Sequence, residues 1–236
     1  MILQELSEQK VELYAADSLC VLSYTLTYEG KRRTSAALTI KGTQLRAEFP
    51  GIAVIEDSFT LAGDLIILKR KWHIMQRGSY RLQAAFSYQD GEKENSLFIP
   101  AVWYQDNLKG KGCFPSPERS TSWSFLETRM AIPCCAQLSN GQQLFSCATE
   151  PAQEERFLSS VAAERHGLII SIPGSEWPYS YRGKQSLVDT SQDSLPTLEV
   201  GAEGLVYERT FYLANQKTSD SQGGYCSFVA ALPEPD

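Results

Sequence analysis

Histidine is nearly missing from this chain: His73 and His166 are the only two among 236 residues. The six cysteines, Cys20, Cys113, Cys134, Cys135, Cys147 and Cys226, form no Cys-x-x-Cys pair, and no histidine cluster of zinc-ligand spacing accompanies them. A structural zinc site is therefore not indicated, and neither metal nor cofactor is expected. No Gly-x-Ser-x-Gly elbow offers a serine nucleophile, and Cys113 sits in a Gly/Pro loop with no histidine near it in sequence. Gly110-Lys111-Gly112 follows a polar loop instead of opening a helix, so nothing marks a phosphate cradle. The longest apolar runs, such as Leu65-Ile66-Ile67-Leu68, are far too short to cross a bilayer. Asn-x-Ser/Thr acceptors are absent as well.

Met1-Ile2-Leu3-Gln4-Glu5 has neither the basic start nor the long apolar segment of a secretory signal. Scattered cysteines read as small core residues of a protein kept reducing, so a cytoplasmic location is expected. A net charge of −6 supplies no basic stripe for phosphates, and nucleic acid is not an expected partner. The basic clusters Lys31-Arg32-Arg33 and Lys69-Arg70-Lys71 read as solvated strand ends or turns. Hydrophobic residues at 42% and charged residues at 21% are ordinary for a globular protein.

What the sequence does carry is β patterning. From Leu19 to Tyr28, Cys20, Leu22, Tyr24, Leu26 and Tyr28 alternate with Ser23, Thr25 and Thr27. Ser79 to Tyr88 repeats this, aligning Tyr80, Leu82, Ala84, Phe86 and Tyr88, and Asp90-Gly91 offers a hairpin turn into Asn95 to Trp103. Further turn signals stand at Glu29-Gly30, Lys41-Gly42, Gly63-Asp64, Asn140-Gly141 and Ala214-Asn215. The best helical candidate is Gln153 to Arg165, with Gly167 as a stop. With no strand-helix alternation, the expected fold is mostly β, a large antiparallel two-sheet β-sandwich of twelve or more strands with at most one or two short helices. Residues 1–236 are expected to form one such domain, the Ser-rich Lys184 to Pro196 stretch a surface loop, and residues 231–236, with Pro233-Glu234-Pro235, the start of a linker.

One segment breaks the regular pattern. Phe98-Ile99-Pro100-Ala101-Val102-Trp103-Tyr104-Gln105-Asp106-Asn107 ends an apolar strand in two flat rings beside a carboxylate and an amide. Such a set suits a sugar, whose C–H faces stack on aromatics and whose hydroxyls take fixed donors and acceptors. Glu176-Trp177-Pro178 offers a similar pairing. Trp103, Tyr104, Asp106, Asn107, Glu176 and Trp177 are accordingly the candidate binding residues, with carbohydrate as the expected ligand. The same aromatics also fit a patch that docks another protein domain.

Phe98 to Asn107, Trp123 to Pro133, Ile172 to Pro178 and Val206 to Tyr212 together resemble the amino-terminal β-domain of bacterial glycoside hydrolases, a super-sandwich similar to the galactose mutarotase fold that precedes an (α/α) toroid. The resemblance implies that this chain is the amino-terminal domain of a longer protein, supporting or completing a carbohydrate cleft while a downstream helical domain carries the catalytic carboxylates. On that reading no catalytic residue belongs to this chain. Asp106, Glu118, Glu127 and Glu176 are the carboxylates in aromatic-rich segments, and Glu127 is expected to pair with Arg129 along a strand face. The alternative is a protein–protein interaction or structural module. A third reading is a mutarotase-like epimerase, whose histidine and carboxylate would act as general acid and base, although the residues around His73 and His166 do not match the mutarotase motifs.

Overall fold

The computed structural model describes residues 1–15, 18–87, 96–98, 123–130, 134–139, 143–164, 167–175 and 195–233. Along them run β1 (Ile2–Ser7), β2 (Lys10–Ala15), β3 (Ser18–Ser23), β4 (Thr25–Tyr28), β5 (Lys31–Thr34), β6 (Ala37–Lys41), β7 (Gln44–Phe49), β8 (Ala53–Ala62), β9 (Leu65–Ile74) and β10 (Gly78–Ser87). There follow β11 (Ser96–Phe98), β12 (Trp123–Leu126), β13 (Cys134–Ser139), β14 (Gln143–Thr149), β15 (Ser160–Glu164), β16 (Gly167–Ile172), β17 (Leu198–Val200), β18 (Leu205–Lys217) and α1 (Ser221–Ala230). Short 3₁₀ turns occupy Glu127–Arg129 and Glu155–Phe157.

The strands form two antiparallel sheets. A ten-stranded sheet runs β1-β2-β3-β10-β16-β15-β12, with β4 and β17 also on β10 and β5 on β4; an eight-stranded sheet runs β11-β13-β14-β18-β9-β8-β7-β6. Between them lies one core drawn from both, including Leu22, Leu26, Leu82 and Phe86 from the first sheet and Ile55, Leu68, Trp72 and Phe211 from the second. The architecture is the mostly β, two-sheet sandwich that the alternation predicts.

Period-two alternation decides which residues enter that core. Tyr80, Leu82, Ala84 and Phe86 of β10 are all buried, as their spacing predicts. The turns at Glu29-Gly30, Lys41-Gly42 and Gly63 fall between paired strands, and each of these three glycines takes positive φ. Ala214-Asn215, by contrast, lies within β18, a thirteen-residue strand paired with both β14 and β9. The turn expected at Asn140-Gly141, the Asp90-Gly91 hairpin and most of the Lys184 to Pro196 stretch lie outside the described residues.

Two expectations are corrected. Gln153 to Arg165 is not a helix: after the 3₁₀ turn at Glu155–Phe157 it becomes β15, whose Val161 packs into the core. The helix is α1, where Asp220 accepts a 2.9 Å hydrogen bond from the Gly223 amide and Phe228 packs with Leu65, Ala148 and Ala214. Likewise Lys69-Arg70-Lys71 is no solvated strand end but the middle of β9, and Arg70 is wholly buried. Lys31-Arg32-Arg33 does lie on an exposed strand, β5, which among the described residues pairs only with β4.

The core also carries a row of charge. On the inward face of the eight-stranded sheet, Asp57 of β8 lies opposite Arg70 of β9, which lies opposite Arg209 of β18. Asp57 takes Arg70 through both oxygens, from Nε at 2.8 Å and Nη2 at 2.6 Å, and accepts the Tyr24 hydroxyl at 2.7 Å. Arg70 Nη1 reaches the Gln83 carbonyl at 3.2 Å, so this cluster ties β8 and β9 to Tyr24 and β10 of the other sheet. Burial by itself would favour a neutral guanidine, but the Asp57 carboxylate raises the Arg70 pKa further and keeps it charged. Arg209 donates from Nη2 to Glu127 at 2.7 Å, from Nε to the Thr149 hydroxyl at 2.8 Å and from Nη1 to the Phe157 carbonyl at 3.0 Å. Glu127 lies in a 3₁₀ turn, and its partner is Arg209, where the sequence pointed to Arg129.

Candidate functional site

The opposite face of the same sheet is polar and open. Alternation that sends Asp57, Arg70 and Arg209 inward sends their neighbours outward, so Arg46, Glu56, Lys71 and Glu208 stand in register across β7, β8, β9 and β18. Their signs alternate. Arg46 Nη1 lies 2.6 Å from Glu56 and Lys71 Nζ 3.0 Å from Glu208, while Arg46 Nε reaches Glu48 at 3.1 Å. All are close to half exposed, so each pair contributes little to stability, on the order of 0–1 kcal/mol. What the pairing does is hold long side chains in fixed directions at strand spacing, roughly 4.8 Å apart.

Around this row lies a groove of about 410 Å³, to which Thr39, Lys41, Ser58 and Lys69 add hydroxyls and cations. A second hollow of about 400 Å³ shares Arg46 and Glu56 and extends along the sheet to His73, Met75, Glu203 and Val206. His73 Nε2 donates to Glu56 Oε2 at 2.9 Å. Burial would raise the Glu56 carboxyl, yet the hydrogen bonds from His73 and Arg46 hold it below its ordinary value, so it is an ionised acceptor at neutral pH. Val54 at the hollow's floor and the exposed Met75 and Val206 give it an apolar side.

Trp103, Tyr104, Asp106, Asn107, Glu176 and Trp177, the binding residues expected from the sequence, lie outside the described residues, as do His166, Asp106's companion candidate Glu118, and Cys113. Of the histidines, His73 alone is described, and it is a half-exposed residue satisfied by Glu56. Cys20 and Cys147 are buried, as small core residues should be, and burial pushes the Cys20 thiol up to about 12; Cys226 is exposed on α1. The Arg46/Glu56/Lys71/Glu208 row went unnoticed in the sequence. Its signal is polar residues two apart within Arg46–Glu48, Glu56–Ser58 and Lys69–Lys71–His73.

The described residues thus define a two-sheet antiparallel β-sandwich with a preorganised polar groove on one outer face. No family model matches the sequence, and no curated protein matches it. Among solved structures, the chain is similar to a galactose mutarotase related enzyme from Lactobacillus acidophilus, with a TM-score of 0.43, 8% identity, and 90% of this chain and 92% of that one covered. It is also similar to the GalM/aldose epimerase homologue from C. elegans, at TM-score 0.45, 12% identity, and 89% and 92% coverage. A third is a GH31 family sulfoquinovosidase from E. rectale, at TM-score 0.44 and 5% identity, covering 92% of this chain and 32% of that chain. Likeness so distant says nothing of this chain's ligand.

Proposed function

We propose that the protein binds carbohydrate without cleaving it, on the outer face of the eight-stranded sheet. The observation that carries this reading is the Arg46–Glu56–Lys71–Glu208 row in its groove of about 410 Å³. Donors and acceptors alternate there, already fixed by one another, which is what a ring of hydroxyls requires of a site. The volume falls in the range of ligand sites, roughly 300–1,000 Å³, and the groove's openness suits a surface that holds a sugar. Trp103 and Trp177 belong to the same proposal as stacking residues, and a downstream helical catalytic domain as the partner.

Titrating oligosaccharides while following tryptophan fluorescence tests it. A saturable response is expected, weakened about tenfold or more in Glu56→Gln and Lys71→Ala, since each removes a hydrogen bond to a charged group. Trp103→Ala and Trp177→Ala are expected to lose the response. Absence of any response, together with better solubility of the tryptophan variants, would instead favour a protein-docking module.

His73 favours a second reading. A histidine 2.9 Å from a carboxylate at the edge of a 400 Å³ hollow brings together the two kinds of group that a carbohydrate epimerase would use as general acid and base. On this reading the chain accelerates the interconversion of α- and β-hexoses, followed by polarimetry, and His73→Gln lowers the rate by 10²-fold or more. A rate equal to that of buffer discards it.

A further inference from the structure

Three arginines of the described residues are drawn into the fold, and two of them obey one rule. Arg70 has Asp57 and Arg209 has Glu127, because a charge removed from water needs a counter-charge. Arg81 of β10 breaks the rule. It lies on the outer face of the ten-stranded sheet, opposite Thr27 of β4, and no carboxylate among the described residues pairs with it. Its contact is a 3.3 Å hydrogen bond from Nη2 to the Ser175 hydroxyl, while its Nε is buried with no acceptor. Burial lowers its pKa, and no carboxylate among the described residues offsets that.

Arg81 is partly exposed, with its Nε buried, and the polar surroundings are withdrawn further from solvent. Thr25, Thr27, Ser160 and Ser171 all face outward from this sheet, yet each is buried. Register places Gln83 opposite Ser171, and Ser171 opposite Ser160. The Ser175 amide donates to Ser160 Oγ at 3.1 Å, which fixes the loop carrying the Arg81 contact. Gly174 lets that loop pass close: a Cβ there would meet the Ser159 and Ser160 backbone at 2.5 Å. Two carboxylates near β10 are engaged elsewhere. Glu29 Oε1 accepts the Ser79 amide at 2.8 Å, and Glu199 Oε1 accepts the Thr197 hydroxyl at 3.0 Å.

We propose that Arg81 is the centre of an anion site on this face, taking the carboxylate of a small organic acid between its Nε edge and the surrounding hydroxyls. A guanidinium edge matches the two oxygens of a carboxylate, and a single positive charge balances a monoanion. This site is on the other sheet from the sugar groove and stands or falls apart from it.

Calorimetric titration with sodium propionate, and with propionamide as its neutral counterpart, provides the test, neither probe being a sugar. Saturable propionate binding is expected, weakened at least tenfold in Arg81→Met and in Arg81→Lys, which keeps the charge but loses the fork. In carboxylate-free buffer Arg81→Met is expected to melt above the natural chain, because it removes a charge without a counter-charge, and propionate is expected to raise only the natural chain's melting point. Equal binding of propionamide, tighter binding of sulfate or phosphate than of propionate, unaltered binding by Arg81→Met, or a lower melting point for that variant would each overturn the proposal.

Discussion

Asp57→Ala is expected to lower the stability of the fold by about 3–5 kcal/mol, the usual consequence of leaving a buried charge without its partner. In a chain of this length that corresponds to a fall in melting temperature of roughly 6–20 °C. The carboxylate is 2% exposed and takes both forks of Arg70, which is 0% exposed, together with the Tyr24 hydroxyl. Its removal strands three donors in the core. It also leaves Arg70 facing Arg209 directly across the ladder with only one carboxylate between them, and like charges opposite each other on a sheet repel. Urea unfolding of the natural chain and the variant checks this. A loss below about 1 kcal/mol would mean that Arg70 finds water or another acceptor. Replacing the pair together, with Asp57→Leu and Arg70→Met, is expected to recover most of the loss, since apolar side chains of similar volume substitute well for buried ion pairs.

Glu127→Ala is expected to cost a similar amount, about 3–5 kcal/mol, through the other end of the same row. Glu127 accepts from Arg209, from the amides of Ala152 and Ser159 at 2.7 Å each, and from the Ser159 hydroxyl. Burial pushes this carboxyl up, but the Arg209 charge and these hydrogen bonds outweigh it and hold the pKa below its ordinary 4.5. A depressed folded-state pKa means that the stability is fully present above pH 4.5 and is lost as the pH falls through the lower, folded value. Between pH 5 and 3 the natural chain should therefore lose stability faster than Glu127→Gln, as read from urea midpoints. Parallel profiles would show that Glu127 titrates alike in both states. With Asp57→Ala and Glu127→Ala combined, two unneutralised guanidinium groups face each other, so the double variant is expected to lose more than the sum of the single losses.

Much of the fold was legible in the sequence because period-two alternation is local. Tyr80, Leu82, Ala84 and Phe86 announce their strand within seven residues, and Glu29-Gly30 announces its turn within two. Where the reading failed, the deciding contact lay far away. Gln153 to Arg165 carries helical spacing, yet its second half pairs with β16 and β12, and that ladder overrides propensity. Helix α1 holds Gly223 and Gly224, poor helix formers, and it is stabilised by the Asp220 cap and by Phe228 packing on Leu65, Ala148 and Ala214. Glu127 and Arg209 are 82 residues apart, and nothing local marks them as partners. Arg70 was hidden differently: three adjacent basic residues look like one surface cluster until strand alternation turns the middle one inward. The same alternation, applied to β7, β8 and β9, would have revealed the outer polar row of Arg46, Glu56 and Lys71.

The exposed strand β5 bears on how copies of this chain meet. Among the described residues its second backbone edge has no neighbouring strand, and such an edge is a template on which another strand could be added, in a sheet that does not stop at two. Lys31, Arg32 and Arg33 occupy three of its four positions. In an antiparallel second copy of β5 aligned end to end, Arg32 would face Arg33 at both central positions, so electrostatic repulsion written into the strand itself opposes extension of this border.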